Sequence, residues 1–266
     1  MANYQHIEID QRGAVRWLWL NRPEVRNAFN NVLIAEIAAA FAEIEASPET
    51  RVVVVTARGP SFCAGADLNW MRSMAGFTHA ENHADALKVA RMFNAVHSCS
   101  RPVIARVQGD AFGGGVGLAA ACDIVVAAEA AQFALTEVRL GIVAATVSPY
   151  LVRSMGARQA ARYMLTAEKF SASAARALGL VHEVTLMEGL DREVERLAHH
   201  LLAASPAALA ATKRLLADVV EPPMDDVLLA ATAKCIADVR VSPEGREGIS
   251  AFLEKRAPAW MPKKQP

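Results

Sequence analysis

RPVIARVQGDAFGGGVGLAAACDIVVAA, residues 101–128, decides the architecture. RPVIARVQ at its start reads as a buried strand, and DIVVAA at its end reads as another. Between them lie Gly113, Gly114 and Gly115, then Gly117 and a run of small apolar residues with the reach of a short helix. Upstream, RVVVVTA at 51–57 is a continuous β-branched run, as in a strand covered on both faces. Val89, Met92, Phe93 and Val96 mark a helix between that strand and residue 101. The order strand, helix, strand, helix, strand over 51–128 favours parallel strands with crossover helices. The fold class is α/β.

Working outward, residues 4–10 and 14–20 read as two strands around a turn at Asp10–Gly13, with Val15, Trp17 and Trp19 on one side. NRPEVRNAFN, 21–30, is a loop. Ile34, Ile37, Phe41 and Ile44 mark a helix that ends at Ser47–Pro48. The segment after residue 68, with Trp70, Met71, Met74 and Gly76, lacks a clean period and reads as mobile. From residue 145 helices dominate. Leu190, Val194, Leu197 and Leu201 repeat at helical spacing. Ser205–Pro206 and Ser242–Pro243 each look like an N-cap followed by proline, and Pro222–Pro223 separates two helices. The boundary is expected near 190–200, giving an α/β body over 1–195 and a helical region over 196–266.

The chain has 266 residues, 53% of them apolar, enough for a full core. Lys plus Arg equals Asp plus Glu at 28 each, so no footprint for nucleic acid or an anionic membrane is expected. No apolar run is long enough to span a bilayer, and MANYQHIEID carries no signal pattern. Cys63, Cys99, Cys122 and Cys235 form no C-x-x-C pair and read as free thiols in a reducing compartment. The histidines show no metal-ligand spacing; no metal is expected. These features suit a cytoplasmic enzyme.

Three readings of the glycine loop compete. Gly115-Val-Gly117-Leu-Ala-Ala120 fits a dinucleotide fingerprint, but the fingerprint belongs in the first βα unit, and Glu137 lies beyond the next strand instead of ending it. The glycines could serve only a tight turn and close packing. The third reading is an oxyanion hole. A helix N-terminus offers unpaired N–H groups, glycine admits a ligand close to the backbone, and FCAGADL at 62–68 could supply a second donor.

FCAGADL taken with GDAFGGGVGLAAACD strongly resembles the crotonase superfamily, the enoyl-CoA hydratases and isomerases. NRPEVRNAFN, TEVRLGIV, TAEKFSASAARALGLVHEV and EGISAFLEKRAP extend the resemblance over nearly the whole chain. It implies a spiral of ββα units with a C-terminal α-helical region that builds trimers, often paired as hexamers. It implies an acyl-CoA thioester substrate, with no cofactor apart from the coenzyme A that belongs to the substrate. The N–H groups of Ala66 and Gly114 would hold the thioester oxygen. Ala64, Asp67, Leu68 and Asn69 would line that loop, and Arg26 and Ala28 would touch the nucleotide. Phe252 and Lys255 would reach coenzyme A, often from a neighbouring subunit. Without the resemblance, Arg26 and Lys255 read as solvated surface charges.

Two-glutamate hydratases of this family carry one glutamate two residues after the glycine triplet and a second about twenty further on. Glu137 matches the second, and Gly117 stands in place of the first. Glu137 is then the acid/base, against the alternative of a surface acid. The branch resembled through GGGVGL and the Ser-Pro-Tyr at 148–150 comprises methylglutaconyl-CoA and carboxygeranoyl-CoA hydratases. The leading expectation is hydration of a 2-enoyl-CoA. Its rivals are a Δ3,Δ2-enoyl-CoA isomerase, a non-catalytic acyl-CoA-binding protein and, distantly, a dinucleotide oxidoreductase. Arg139 is a candidate partner for a substrate carboxylate, though a surface ion pair is favoured. Gly117→Glu is expected to raise crotonyl-CoA hydration. Residues 70–85 and 140–150 are expected to shape the acyl pocket.

Overall fold

The computed structural model describes residues 4–220 and 222–261. The chain begins with a hairpin. Strands β1 (Ile7–Arg12) and β2 (Val15–Leu20) pair antiparallel around Gly13–Ala14, with Arg12 opposite Val15. The turn is shorter than Asp10–Gly13, because Gly13 at φ +58° lets two residues reverse the chain. Helix α1 (Asn31–Ala46) follows, capped by Asn30, whose side chain accepts the Leu33 N–H.

Strand β3 (Val52–Ala57) is buried along its whole length. It leads into α2 (Leu68–Met74) and α3 (His79–His97). Next come β4 (Val103–Val107), the two-residue β5 (Ala111–Phe112), α4 (Gly114–Ala121), β6 (Ile124–Ala128) and β7 (Gln132–Ala134). The 3-10 turn Glu137–Leu140 precedes α5 (Ser148–Thr166), β8 (Phe170–Ser171), α6 (Ala172–Ala177) and β9 (Glu183–Thr185).

The main sheet runs β1-β2-β3-β4-β6-β9, parallel throughout except for the first pair. Leu18, Val53, Val55, Ala105 and Val125 face one core, which α1, α3, α4 and α5 close. Trp17, Val52, Val54, Ile104 and Val126 face the other, closed by Leu190, Val194 and Ala198 of α7 (Leu190–Ala203). Double coverage is why β3 reads as an unbroken apolar run. Residues 195 and 196 lie inside α7, a helix packed on the sheet.

β5, β7 and β8 form a second, three-stranded sheet. Neither that sheet nor β9 is legible in the sequence. Strands of two or three residues are too short to show a period.

Helices α8 (Pro206–Val219), α9 (Asp226–Val241) and α10 (Pro243–Leu253) pack on one another. Ser205 and Ser242 cap α8 and α10 with proline in the first turn, and Pro222–Pro223 lies between α8 and α9, as expected. The Arg51 guanidinium donates to the carbonyls of Leu202, Ala204 and Trp260, and Lys213 pairs with Asp123 at 2.6 Å. These contacts tie the C-terminal helices to the sheet. Among the described residues no helix is long and apolar enough to cross a membrane.

Candidate active site

The small sheet acts as a jig for the site. One edge of β5 pairs with the loop after β3: Cys63 N–H donates to Asp110 O at 3.2 Å, and Phe112 N–H donates to Cys63 O at 2.8 Å. The other edge pairs with β7, which sets Phe112 beside Ala134. Two residues of strand therefore bring FCAGADL, the glycine loop and the segment leading to Glu137 side by side.

The first loop is also held from behind. Phe29 N–H donates to Gly65 O at 2.7 Å and Phe29 O accepts from Asp67 N–H at 2.8 Å. In such a parallel bridge Ala66 turns its own N–H away from Phe29. Among the described residues no protein acceptor takes that N–H. Gly65 makes the approach feasible: its φ is +92°, and a methyl there would lie 3.1 Å from Phe112 O.

The second donor follows from helix geometry. Gly113 N–H is used by Ala134 O at 2.8 Å, and Gly113 at φ +51° turns the chain into α4. Gly114 is the first residue of that helix, where an N–H has no partner in the helix itself. Among the described residues it has no other acceptor. A methyl on Gly114 would strike the Phe29 ring at 2.9 Å. Ala66 and Gly114 both line a cavity of about 440 Å³.

Glu137 lines the same cavity. It opens the 3-10 turn after β7 and lies against the glycine loop: a methyl at Gly113 would sit 3.0 Å from Glu137 Oε1 and 3.8 Å from Gly65 Cα. Oε2 is buried with no hydrogen-bond partner among the described residues. Burial raises this carboxyl above its ordinary range. A free surface acid would show neither feature.

Gly117 is buried in α4. A methyl there would lie 2.1 Å from Val147 Cγ1 and 3.4 Å from Phe93 Cζ. Val147 and Phe93 line the cavity, so Val147 fills the space into which a side chain at 117 would grow. The expectation that Gly117→Glu restores hydration meets no room for the added carboxylate.

Ala64 and Leu68 line the cavity with Ala66. Asp67 does not. It is buried, caps α2 by accepting the Asn69 N–H at 2.7 Å, and pairs with Arg22 Nη2 at 2.9 Å. Burial pushes the Asp67 carboxyl up, but Arg22 and the two helix N–H groups outweigh it and hold it low. Asn69 borders a neighbouring cleft of about 600 Å³. Arg26 is exposed at φ +53°, and its carbonyl accepts the Ala64 N–H at 2.9 Å. Ala28 is buried beside it. Phe252 is 82% exposed at the end of α10, Lys255 is exposed beyond it, and neither lines the cavity of its own chain. Arg139 is exposed, off the cavity wall, and makes no ion pair among the described residues. Cys63 is fully buried, which pushes its thiol up to about 12, and burial raises Cys122 as well. Neither is primed as a nucleophile.

The distal wall comes from two segments that the sequence left shapeless. Trp70, Met71 and Met74 of α2 and Asn82, Asp85 and Val89 of α3 form one side; Ile142, Val143 and Val147 form the other. Thr78 and Glu81 close a capping box at the start of α3. That box is visible in the sequence as T-x-x-E; Asp85 falls within the segment 70–85 expected to shape the pocket, but nothing in the sequence singles out its side chain for the wall.

Residues 10–263 match the profile of the family described as enoyl-CoA hydratase/isomerase. The chain is 34% identical over 253 residues to the 2,3-dehydroadipyl-CoA hydratase of Escherichia coli, covering 94% of this chain and 96% of that protein. It is 32% identical over 255 residues to the crotonyl-CoA hydratase of Syntrophomonas wolfei, covering 95% and 96%. The crystal structure of an enoyl-CoA hydratase from Shewanella pealeana superimposes with a TM-score of 0.94 at 39% identity, covering 96% of each chain. The chain belongs to the enoyl-CoA hydratase/isomerase family, and it is an enzyme of that family.

Proposed function

We propose that the protein hydrates a 2-enoyl-CoA, with Ala66 and Gly114 as oxyanion donors and Glu137 as the acid/base. The carrying observation is the pairing of a buried, unpartnered carboxylate oxygen with two uncommitted backbone N–H groups on one cavity. The thioester oxygen sits between the two donors. Glu137 takes a proton from water as the oxygen bonds to C3. The C2–C3 π electrons move toward the thioester, and the negative charge gathers on its oxygen. Glu137 then returns the proton to C2 as the electron pair comes back. Each oxyanion donor is worth about 3–4 kcal/mol of barrier, and general acid–base catalysis adds about 10²–10⁴-fold.

One observation favours a second reading. Val147 fills the space that a side chain at 117, where the resembled two-glutamate hydratases carry their other carboxylate, would enter. A lone glutamate suffices to carry a proton from C4 to C2, as a Δ3,Δ2-enoyl-CoA isomerase requires. Purified protein incubated with crotonyl-CoA, and separately with a 3-enoyl-CoA, separates the two. Loss of the enoyl-thioester absorbance of crotonyl-CoA supports hydration. Conversion of the 3-enoyl-CoA, with no water added to any 2-enoyl-CoA, supports isomerisation.

The assembly belongs to the same reading. Val227, Met224, Phe252 and Leu253 are each more than 70% exposed at 77%, 82%, 82% and 73%. Exposed apolar side chains at the ends of α9 and α10 support a contact between chains. We place the protein as a trimer, or a hexamer of two trimers, in which Phe252 and Lys255 reach the coenzyme A of a neighbour. Four free cysteines suit the reducing cytoplasm. Methylglutaconyl-CoA, named by the branch the glycine loop resembles, is one candidate substrate; its acyl carboxylate would need a partner on the cavity wall.

A further inference from the structure

The wall does not supply that partner, on the reading above that the cavity takes the acyl group of a coenzyme A thioester. Two of its lining side chains can carry charge, Glu137 and Asp85. Among the described residues no lysine, arginine or histidine lines it. Asp85 lies on α3, one turn before Val89 and two turns before Phe93, so all three share the helix face that closes the cavity. The Asp85 carboxylate is half-buried. It accepts no hydrogen bond and joins no ion pair among the described residues. Two cations, Arg22 and Lys88, border the adjoining cleft and not this wall. Lys88 borders the adjoining cleft, which Asp85 also touches, and makes no ion pair with it. Arg22 serves Asp67 and the Ala28 carbonyl. Much of the remaining wall is apolar, with Trp70, Met71, Met74, Ile142 and Val143.

We propose that Asp85 sets specificity by rejecting acyl chains that end in a carboxylate. Such a chain would leave its hydration shell, find no counter-ion and meet a like charge; an uncharged chain loses only the water over an apolar wall. The substrate class is then an uncharged 2-enoyl-CoA, and methylglutaconyl-CoA falls outside it. Asp85 holds nothing else in place, so its replacement tests charge and not folding.

The test compares two thioesters of equal length, trans-2-hexenoyl-CoA and 2,3-dehydroadipyl-CoA. The readout is the ratio of their kcat/KM values, in which losses common to both cancel. The unaltered protein is expected to favour hexenoyl-CoA by about 100-fold, the scale of an unrelieved like-charge contact. Asp85→Asn narrows the ratio about tenfold, and Asp85→Arg brings it near unity or inverts it. A ratio near one in the unaltered protein, or one unmoved in both variants, overturns the proposal. Calorimetric Kd values for hexanoyl-CoA and adipyl-CoA on the same three proteins read the discrimination without turnover. Discrimination that shifts with residue 85 but no hydration sustains this inference and removes the hydratase reading. Hydration of both substrates at an unmoved ratio does the reverse. Binding of neither thioester overturns both.

Discussion

At the scale of single residues, Glu137 is held in a costly state. Burial disfavours its charged form, and Oε2 has no partner to compensate. In the proposed hydration the anion accepts a proton from water, so kcat/KM for crotonyl-CoA is expected to fall on the acid side. The apparent pKa should lie above the ordinary 4.5. Linkage gives the sign for stability. A folded pKa above the unfolded one contributes stability that is full below the unfolded pKa and lost as pH rises through the folded pKa. At pH 7 the ionised group therefore weakens the fold. Glu137→Gln should melt higher than the parent at pH 7, and the difference should vanish near pH 4; calorimetric scans at both pH values check this. Gly117 carries the opposite lesson. Its added Cβ would lie 2.1 Å from Val147 Cγ1, so Gly117→Glu is expected to cost about 1–3 kcal/mol or more and to lower activity. Gly117→Glu with Val147→Gly should recover thermal stability. A single variant as stable as the parent would show that Val147 yields freely.

At the scale of elements, the site depends on helix caps and short pairings. Asp67 was expected on the ligand side of its loop, yet it starts α2 and neutralises Arg22. Asp67→Ala leaves a buried guanidinium unpaired and removes the cap. It should cost about 3–5 kcal/mol and raise KM, because α2 supplies Trp70, Met71 and Met74 to the wall. Denaturant unfolding measures the first and steady-state kinetics the second. The legible part of the site was its backbone chemistry. Gly65 and Gly113 announce positive φ and close approach, and unbroken valines announce a strand covered twice. The carboxylate of Asp67 starts a helix and borders the neighbouring cleft, a role that the sequence does not distinguish from facing a ligand. The segments 70–85 and 140–150 were expected on the pocket, and Asp85, Ile142 and Val143 do line it; which of their side chains would do so was illegible, because that is set by distant packing and not by local period. The strands β5 and β7, which align the whole site, are too short to be read from sequence at all.

At the scale of the molecule, one buried sheet carries helices on both faces, and a C-terminal group of helices is tied on by few polar links. Arg51 is the main one, with three carbonyls as acceptors. Arg51→Met should speed hydrogen exchange in α8 and α10 while leaving β3 and β4 protected. Equal exchange in parent and variant would show that apolar contacts alone hold the tail. The central claim concerns the other end of the sheet, where two N–H groups and one carboxylate share a cavity. Its most direct test is the rate of crotonyl-CoA hydration by Glu137→Gln, measured beside its Kd for a saturated acyl-CoA. The account predicts a fall in kcat of about 10²–10⁴-fold with binding preserved within a few fold. A variant that hydrates at the parent rate would contradict it.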